Sequence, residues 1–170
     1  VTTFAKVLGI LAILGSGLDF NDDAPAQSAP LERNYGHTCL ALVGFSEARD
    51  QGDAGMAAVM KVVINRATDP AHRWPQTLCD VALQPGQFLG VDRWPVPRHP
   101  ERIDPKSWQR ALDLADRVIA GTAPIPFLCQ FATGFDQDPP RLNHGVVCRI
   151  GAHTFYTEPL PAQKSRLAAN

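Results

Sequence analysis

The chain has 170 residues, of which 45% are hydrophobic and 19% charged, enough apolar material for one globular domain with its own core. A formal net charge of -1 and a pI of about 6.6 exclude a strongly basic surface, so nucleic acid is not an expected partner. No uninterrupted apolar run reaches the roughly 18–20 residues of a membrane-spanning helix.

The N-terminal stretch VTTFAKVLGILAILGSGL places Lys6 before an apolar run from Val7 to Leu14, which ends in Gly-Ser-Gly. A basic start, a short apolar core and small residues downstream form the pattern of an export signal over residues 1–18, or of a membrane anchor through residues 7–18. Ala24 and Ala26 offer an Ala-x-Ala cleavage site, and an N-terminal helix packed on the domain is the alternative. Residues 19–35 (DFNDDAPAQSAPLERNY) are acidic, rich in Pro, Ala and Ser, and without apolar periodicity, so they read as a linker. The globular domain is expected over residues 36–160, followed by a polar tail over 161–170.

Within that domain the first helix is expected from about Thr38 to Arg49. The second follows Gly52 with Asp53 as N-cap, and its apolar face is Met56, Val59, Met60, Val63 and Ala67. A short third helix spans roughly Thr77 to Leu83. QPGQFLGVDRWPVPRHPERID is rich in Pro, Gly and aromatics, and reads as a long irregular loop lining a groove. The next helix is the best punctuated: Asp104 caps it, Pro105 occupies its first turn and Gly121 lies just past its end. Its apolar face is Trp108, Ala111, Leu112, Ala115 and Ile119. The last third is β-like and short. The expected fold class is α+β, mainly α, with a small antiparallel β-hairpin.

Four cysteines, Cys39, Cys79, Cys129 and Cys148, follow no zinc-ligand spacing, and four cysteines allow three disulfide connectivities. Cys129 and Cys148 sit in the strand-like segments FLCQFATGF and GVVCRIGAH, joined by a turn region. A bridge between them, leaving Cys39 with Cys79, is the preferred pairing. Four reduced core cysteines are the alternative.

The segment CLALVGFSEAR raises the chemical question, because Glu47 falls inside a helix that is apolar nearly all round. Burial disfavours the charged form of a carboxyl group, which is what a general acid needs in order to hold its proton near neutral pH. Gly44, one turn earlier, is expected to leave open space beside the carboxyl. The competing reading is a buried ion pair with Arg49, Arg66 or Arg73.

CLALVGFSEAR, GMAAVMKVVINR, WPQTLCDVALQPGQF and IGAHTFY occur in that order, and together they resemble the spore-cortex-lytic (SleB-type) family of cell-wall hydrolases, from about Cys39 to Tyr156. The resemblance implies a lysozyme-like domain that cleaves the glycan strands of peptidoglycan by lytic transglycosylation, exported to the periplasm, the cell envelope or a phage particle, and needing no cofactor. It maps the catalytic glutamate onto Glu47. It also implies substrate contacts from Gln87 and Phe88 in QPGQF, from Thr133 in FATGF, and from His153 and Tyr156 in GAHTFY. FATGF departs from the family's histidine-containing block, because Gly134 or Phe135 stands where the histidine is usual. Asn65 and Arg66 read as capping or ion-pairing residues. Asp50, Asp53, Asp80 and Asp92 are the nearest candidates for a second carboxylate, and Trp74 and Trp94 for stacking on sugars. The alternatives are a hydrolytic muramidase, or a non-catalytic peptidoglycan-binding or structural component of an envelope or phage-like particle.

Overall fold

The structure, a computed structural model, describes residues 28–92, 99–137 and 145–158. The expected signal segment, most of the linker, the tail and Trp94 lie outside the described residues.

Helix α1 (Ser28–Ala48) is the central element, packed on α2 (Gly52–Ala67), α3 (Leu78–Ala82) and α6 (Pro105–Ile119). It starts well before the expected Thr38, so residues 28–35 belong to a helix and not to a linker. Proline is tolerated in a first helical turn, where Pro30 falls, and Leu31, Glu32 and Arg33 are good helix formers. Leu40, Ala41, Val43, Phe45 and Ala48 are all buried. Gly44 does not open space beside Glu47, as the sequence suggested. A Cβ there would lie 2.3 Å from the Met60 methyl and 2.9 Å from Met56 Cγ, so the glycine lets α2 approach α1 closely.

Helix α2 is buried on most sides, with Met56 through Met60, Val62 and Val63 all enclosed between α1, α3 and α6. Gln51 occupies its N-cap position without a capping side-chain bond, and the expected cap, Asp53, instead pairs with Arg110 of α6. Thr77 caps α3 by accepting from the Asp80 amide at 3.1 Å. The stretch expected to be irregular contains two short helices, α4 (Leu89–Asp92) and α5 (Pro100–Ile103). Each is a single turn, too short for apolar periodicity to reveal. Helix α6 follows its local signals: Asp104 accepts from the Ser107 amide at 3.0 Å, Pro105 takes the first turn, and Gly121 adopts φ 72° just beyond the end. Its buried residues are Ala111, Leu114, Ala115 and Val118, whereas Ile119 is exposed.

FLCQF, read as strand-like, forms a 3-10 helix (Phe127–Phe131). Beyond it, β1 (Gly134–Asp136), β2 (Gly145–Ile150) and β3 (His153–Thr157) make a three-stranded antiparallel sheet with order β1-β3-β2, one strand more than the expected hairpin. Disulfides join Cys39 of α1 to Cys79 of α3, and Cys129 of the 3-10 helix to Cys148 of β2. The architecture is α+β and mainly helical. Asn65 of α2 donates to the carbonyls of Gln130 (2.8 Å) and Ala132 (2.7 Å), which ties the 3-10 helix and the entry to β1 onto the helical core.

Candidate active site

Glu47 stands in the last turn of α1, half-buried. Its Oε1 accepts from the backbone amides of Gly90 at 2.6 Å and Val91 at 3.3 Å. These two donors come from α4, whose backbone comes against the end of α1 because residue 90 is glycine. A Cβ at that position would lie 2.5 Å from the Ser46 carbonyl oxygen and 2.9 Å from Glu47 Oε1. The three arginines considered as partners for Glu47 have engagements of their own. Arg49 lies over the Phe45 ring at 5.3 Å, Arg66 pairs with Glu158 at 3.2 Å, and Arg73 pairs with Asp69 at 2.9 Å.

Glu47 opens onto a cleft of about 710 Å³, the size of a small-molecule or sugar site. One wall is Ser46 and Glu47 with Gln87, Leu89 and Gly90. The other is Phe135 and Asp136 with His153, Tyr156 and Glu158, and Arg66 also contributes. Arg66 links the two walls. Its Nε donates to the Thr133 carbonyl at 2.6 Å, Nη1 to Gln87 Oε1 at 3.1 Å, and Nη2 to Glu158 Oε1 at 3.2 Å. Its guanidinium also lies against the rings of Trp74 and Phe88, each at 5.5 Å. Burial lowers its pKa from the ordinary arginine value, opposed by the charge of Glu158 and by Tyr156.

On the sheet side, Tyr156 sits opposite Gly134, where a Cβ would come within 2.4 Å of the tyrosine ring. Gly134 therefore makes room for the tyrosine to lie across β1. Burial raises the Tyr156 pKa, and Glu158 adds to the effect. His153 is buried, with its ring 5.1 Å from that of Phe135, and its Nδ1 finds no hydrogen-bond partner among the described residues. Burial lowers its pKa, against the pull of Asp50 and Asp136, so the neutral imidazole is favoured.

Of the residues singled out in the sequence, Glu47, Gln87, His153 and Tyr156 meet around the cleft. Phe88 does not: it is 1% exposed and packs on Phe135 with ring centroids 6.1 Å apart, as a core residue. Thr133 is engaged in holding the sheet, its hydroxyl accepting from the Glu158 amide at 2.8 Å and its amide donating to the Tyr156 carbonyl at 2.9 Å. Trp74 is buried beneath Arg73, 4.1 Å from the ring, and offers no face to a ligand. None of the second-carboxylate candidates lines the cleft. Asp50 is exposed, Asp53 pairs with Arg110, Asp80 accepts from the Thr77 hydroxyl, and Asp92 accepts from the Gly86 amide. The carboxylates that share the cleft with Glu47 are Asp136 and Glu158, which the sequence reading missed. No alternation singles them out, since the neighbours Phe135 and Asp136 both line the cleft and Glu158 lies just past the end of β3.

Among the described residues, no helix is long and apolar enough to cross a membrane, and no group of three or more His, Cys, Asp or Glu is placed to hold a metal ion. No curated protein and no solved structure matches the chain. The Cell Wall Hydrolase family matches residues 50–156, a segment that begins just past Glu47 and takes in most of the cleft, with Ser46, Glu47 and Glu158 outside it. Two disulfides fit the same setting, because such bonds persist in oxidising compartments outside the cytosol. With most of its length matched, the chain belongs to the Cell Wall Hydrolase family, enzymes that degrade the peptidoglycan of the cell envelope.

Proposed function

We propose that the protein cleaves the glycan strands of peptidoglycan as a lytic transglycosylase, with Glu47 acting first as general acid and then as general base. The observation that carries this reading is a carboxyl group held by two backbone amides at the edge of a sugar-sized cleft. The proton that is exchanged is carried by the Glu47 carboxyl group. Glu47 gives that proton to the departing glycosidic oxygen as the C1–O bond breaks, which leaves an oxocarbenium-like sugar and an ionised carboxylate. The carboxylate then takes the proton of the muramyl C6 hydroxyl, whose oxygen closes onto C1 as a 1,6-anhydro ring. The carboxyl group ends protonated, ready for the next cycle, and no water is consumed.

Around that centre Gln87, His153 and Tyr156 supply the polar contacts of a sugar subsite. A hydrolytic muramidase is the second reading, favoured by Asp136 on the facing wall: a second carboxylate there would activate water. Glu158 suits that role less well because Arg66 holds it. Mass spectrometry of muropeptides released from purified walls separates the two. Transglycosylation leaves muramyl ends one water lighter than reducing ends, and a product consisting solely of reducing ends would overturn the transglycosylase reading.

A further inference from the structure

The 3-10 helix (Phe127–Phe131) turns large apolar side chains outward. Phe127 is 71% exposed, Leu128 59% and Phe131 56%, whereas Cys129 is buried. Residues three apart eclipse in a 3-10 helix, which sets Leu128 and Phe131 on one side. The Phe127 ring meets that of Phe131 edge-on, with centroids 5.3 Å apart. Scattered exposed apolar residues are ordinary, but three on one turn form a patch. The turn is also held stiffly, because Cys129 is bridged to Cys148 of β2 and Asn65 donates to the carbonyls of Gln130 and Ala132. Val146 of β2, two residues from that bridge, is 53% exposed. None of these side chains lines the cleft.

We propose that this patch is the centre of a symmetric dimer, in which a second copy of the chain lays its own Phe127, Leu128 and Phe131 against the first. The inference goes beyond the proposed activity and does not depend on it. The exposed parts of Phe127, Leu128, Phe131 and Val146 amount to about 430 Å² of apolar surface, so two copies contribute about 850 Å². Homodimer interfaces are about 65% apolar, which makes this the apolar share of an interface of about 1,300 Å², inside the range of about 1,200–2,000 Å² for stable pairs. Charge points the same way. No charged residue occurs from Thr122 to Phe135, so two copies meet there without repulsion, whereas an anionic lipid surface would find no lysine or arginine on the turn. β2 is the edge of the sheet and pairs with β3 alone among the described strands, and an unpaired edge is a surface through which like chains associate. Because disulfide and hydrogen bonds already fix the turn, pairing costs little in ordering it.

The test is sedimentation velocity of the full chain over about 1–100 μM, where a species of twice 18.5 kDa is expected with a Kd on the order of 1 μM, the weak end for such an area. Phe127→Lys combined with Phe131→Lys puts charge at the centre of the contact and should weaken pairing at least about a hundred-fold, leaving monomer. Leu128→Lys is an independent check, and thermal melts show that each variant is folded. Leu11→Lys interrupts the apolar run from Val7 to Leu14 and should leave the dimer intact. A wild type that stays monomeric over the whole range would overturn the proposal. So would a dimer that survives Phe127→Lys with Phe131→Lys, or one lost in Leu11→Lys, which would assign the pairing to the apolar run. A monomer that floats with phosphatidylglycerol vesicles only while Phe127 and Phe131 are present would assign the patch to lipid, and would equally overturn it.

Discussion

Replacing Gly90 by alanine isolates the contact on which the chemistry of Glu47 depends. Residue 90 lies in a helical turn, and Ala is favoured over Gly in helices by about 0.5–1 kcal/mol, so without a clash the variant would be slightly more stable. The shorter clash is with a backbone atom that cannot yield. The new Cβ would stand 2.5 Å from the Ser46 carbonyl oxygen, part of the backbone of α1, and 2.9 Å from Glu47 Oε1. Ordinary non-bonded contact begins at about 3.5 Å, so α4 must withdraw by about 1 Å. The Gly90 amide, now 2.6 Å from Glu47 Oε1, would move to the far limit of hydrogen bonding, and the longer Val91 contact would be lost. A displacement of this size at a reacting group lowers kcat on the order of a hundred-fold. The assay is the rate of clearing of a saturating suspension of purified walls, alongside a thermal melt to show that the variant is folded. A folded Gly90→Ala protein with kcat within about two-fold of wild type would refute the claim that these amides position the acid.

Further outcomes follow from packing, cross-links and ion pairs. Gly44→Val drives side-chain atoms into Met56 and Met60 and should cost about 1–3 kcal/mol in urea unfolding; an unchanged midpoint would show that α1 and α2 are not closely packed there. The Cys39–Cys79 bridge spans a separation of 40 residues and Cys129–Cys148 one of 19. Loop-closure entropy makes the first worth about 4 kcal/mol and the second about 3 kcal/mol, and denaturant unfolding of the paired Cys→Ala variants checks the order. The Asp69 pKa is held below the ordinary carboxylate value by its hydrogen bonds to Arg73, so its contribution is present above about pH 3.9 and is lost as pH falls through the lower folded value. Asp69→Asn should therefore lose about 2 kcal/mol at neutral pH, with the gap to wild type closing under acid unfolding; a gap that stays constant with pH would contradict the ion pair.

Signals that are local in sequence carried through to the structure. Asp104, Pro105 and Gly121 mark the ends of α6 because caps and turns depend on residues within a few positions. Glu47 stood out because its helical neighbours are apolar, which again is readable within one helix. What failed depended on distant partners. Gly44 was read as an opening beside the acid, yet the space is filled by Met56 and Met60 from another helix. Asp53 had the pattern of a cap but found Arg110 across the interface with α6. The cleft carboxylates Asp136 and Glu158 come together with Glu47 only when the sheet packs on α2, and no spacing along the chain records that. The role of Gly90 was equally invisible, because it depends on the carbonyl of Ser46, far away in sequence.

The most direct measurement is made with Glu47→Gln, which keeps an oxygen for the Gly90 and Val91 amides and removes the exchangeable acid. On purified walls the variant should lose about a thousand-fold in the rate of glycan cleavage, the scale of a general acid, while still co-sedimenting with the walls. Cleavage by the folded variant within about ten-fold of the wild-type rate would contradict the account at its centre.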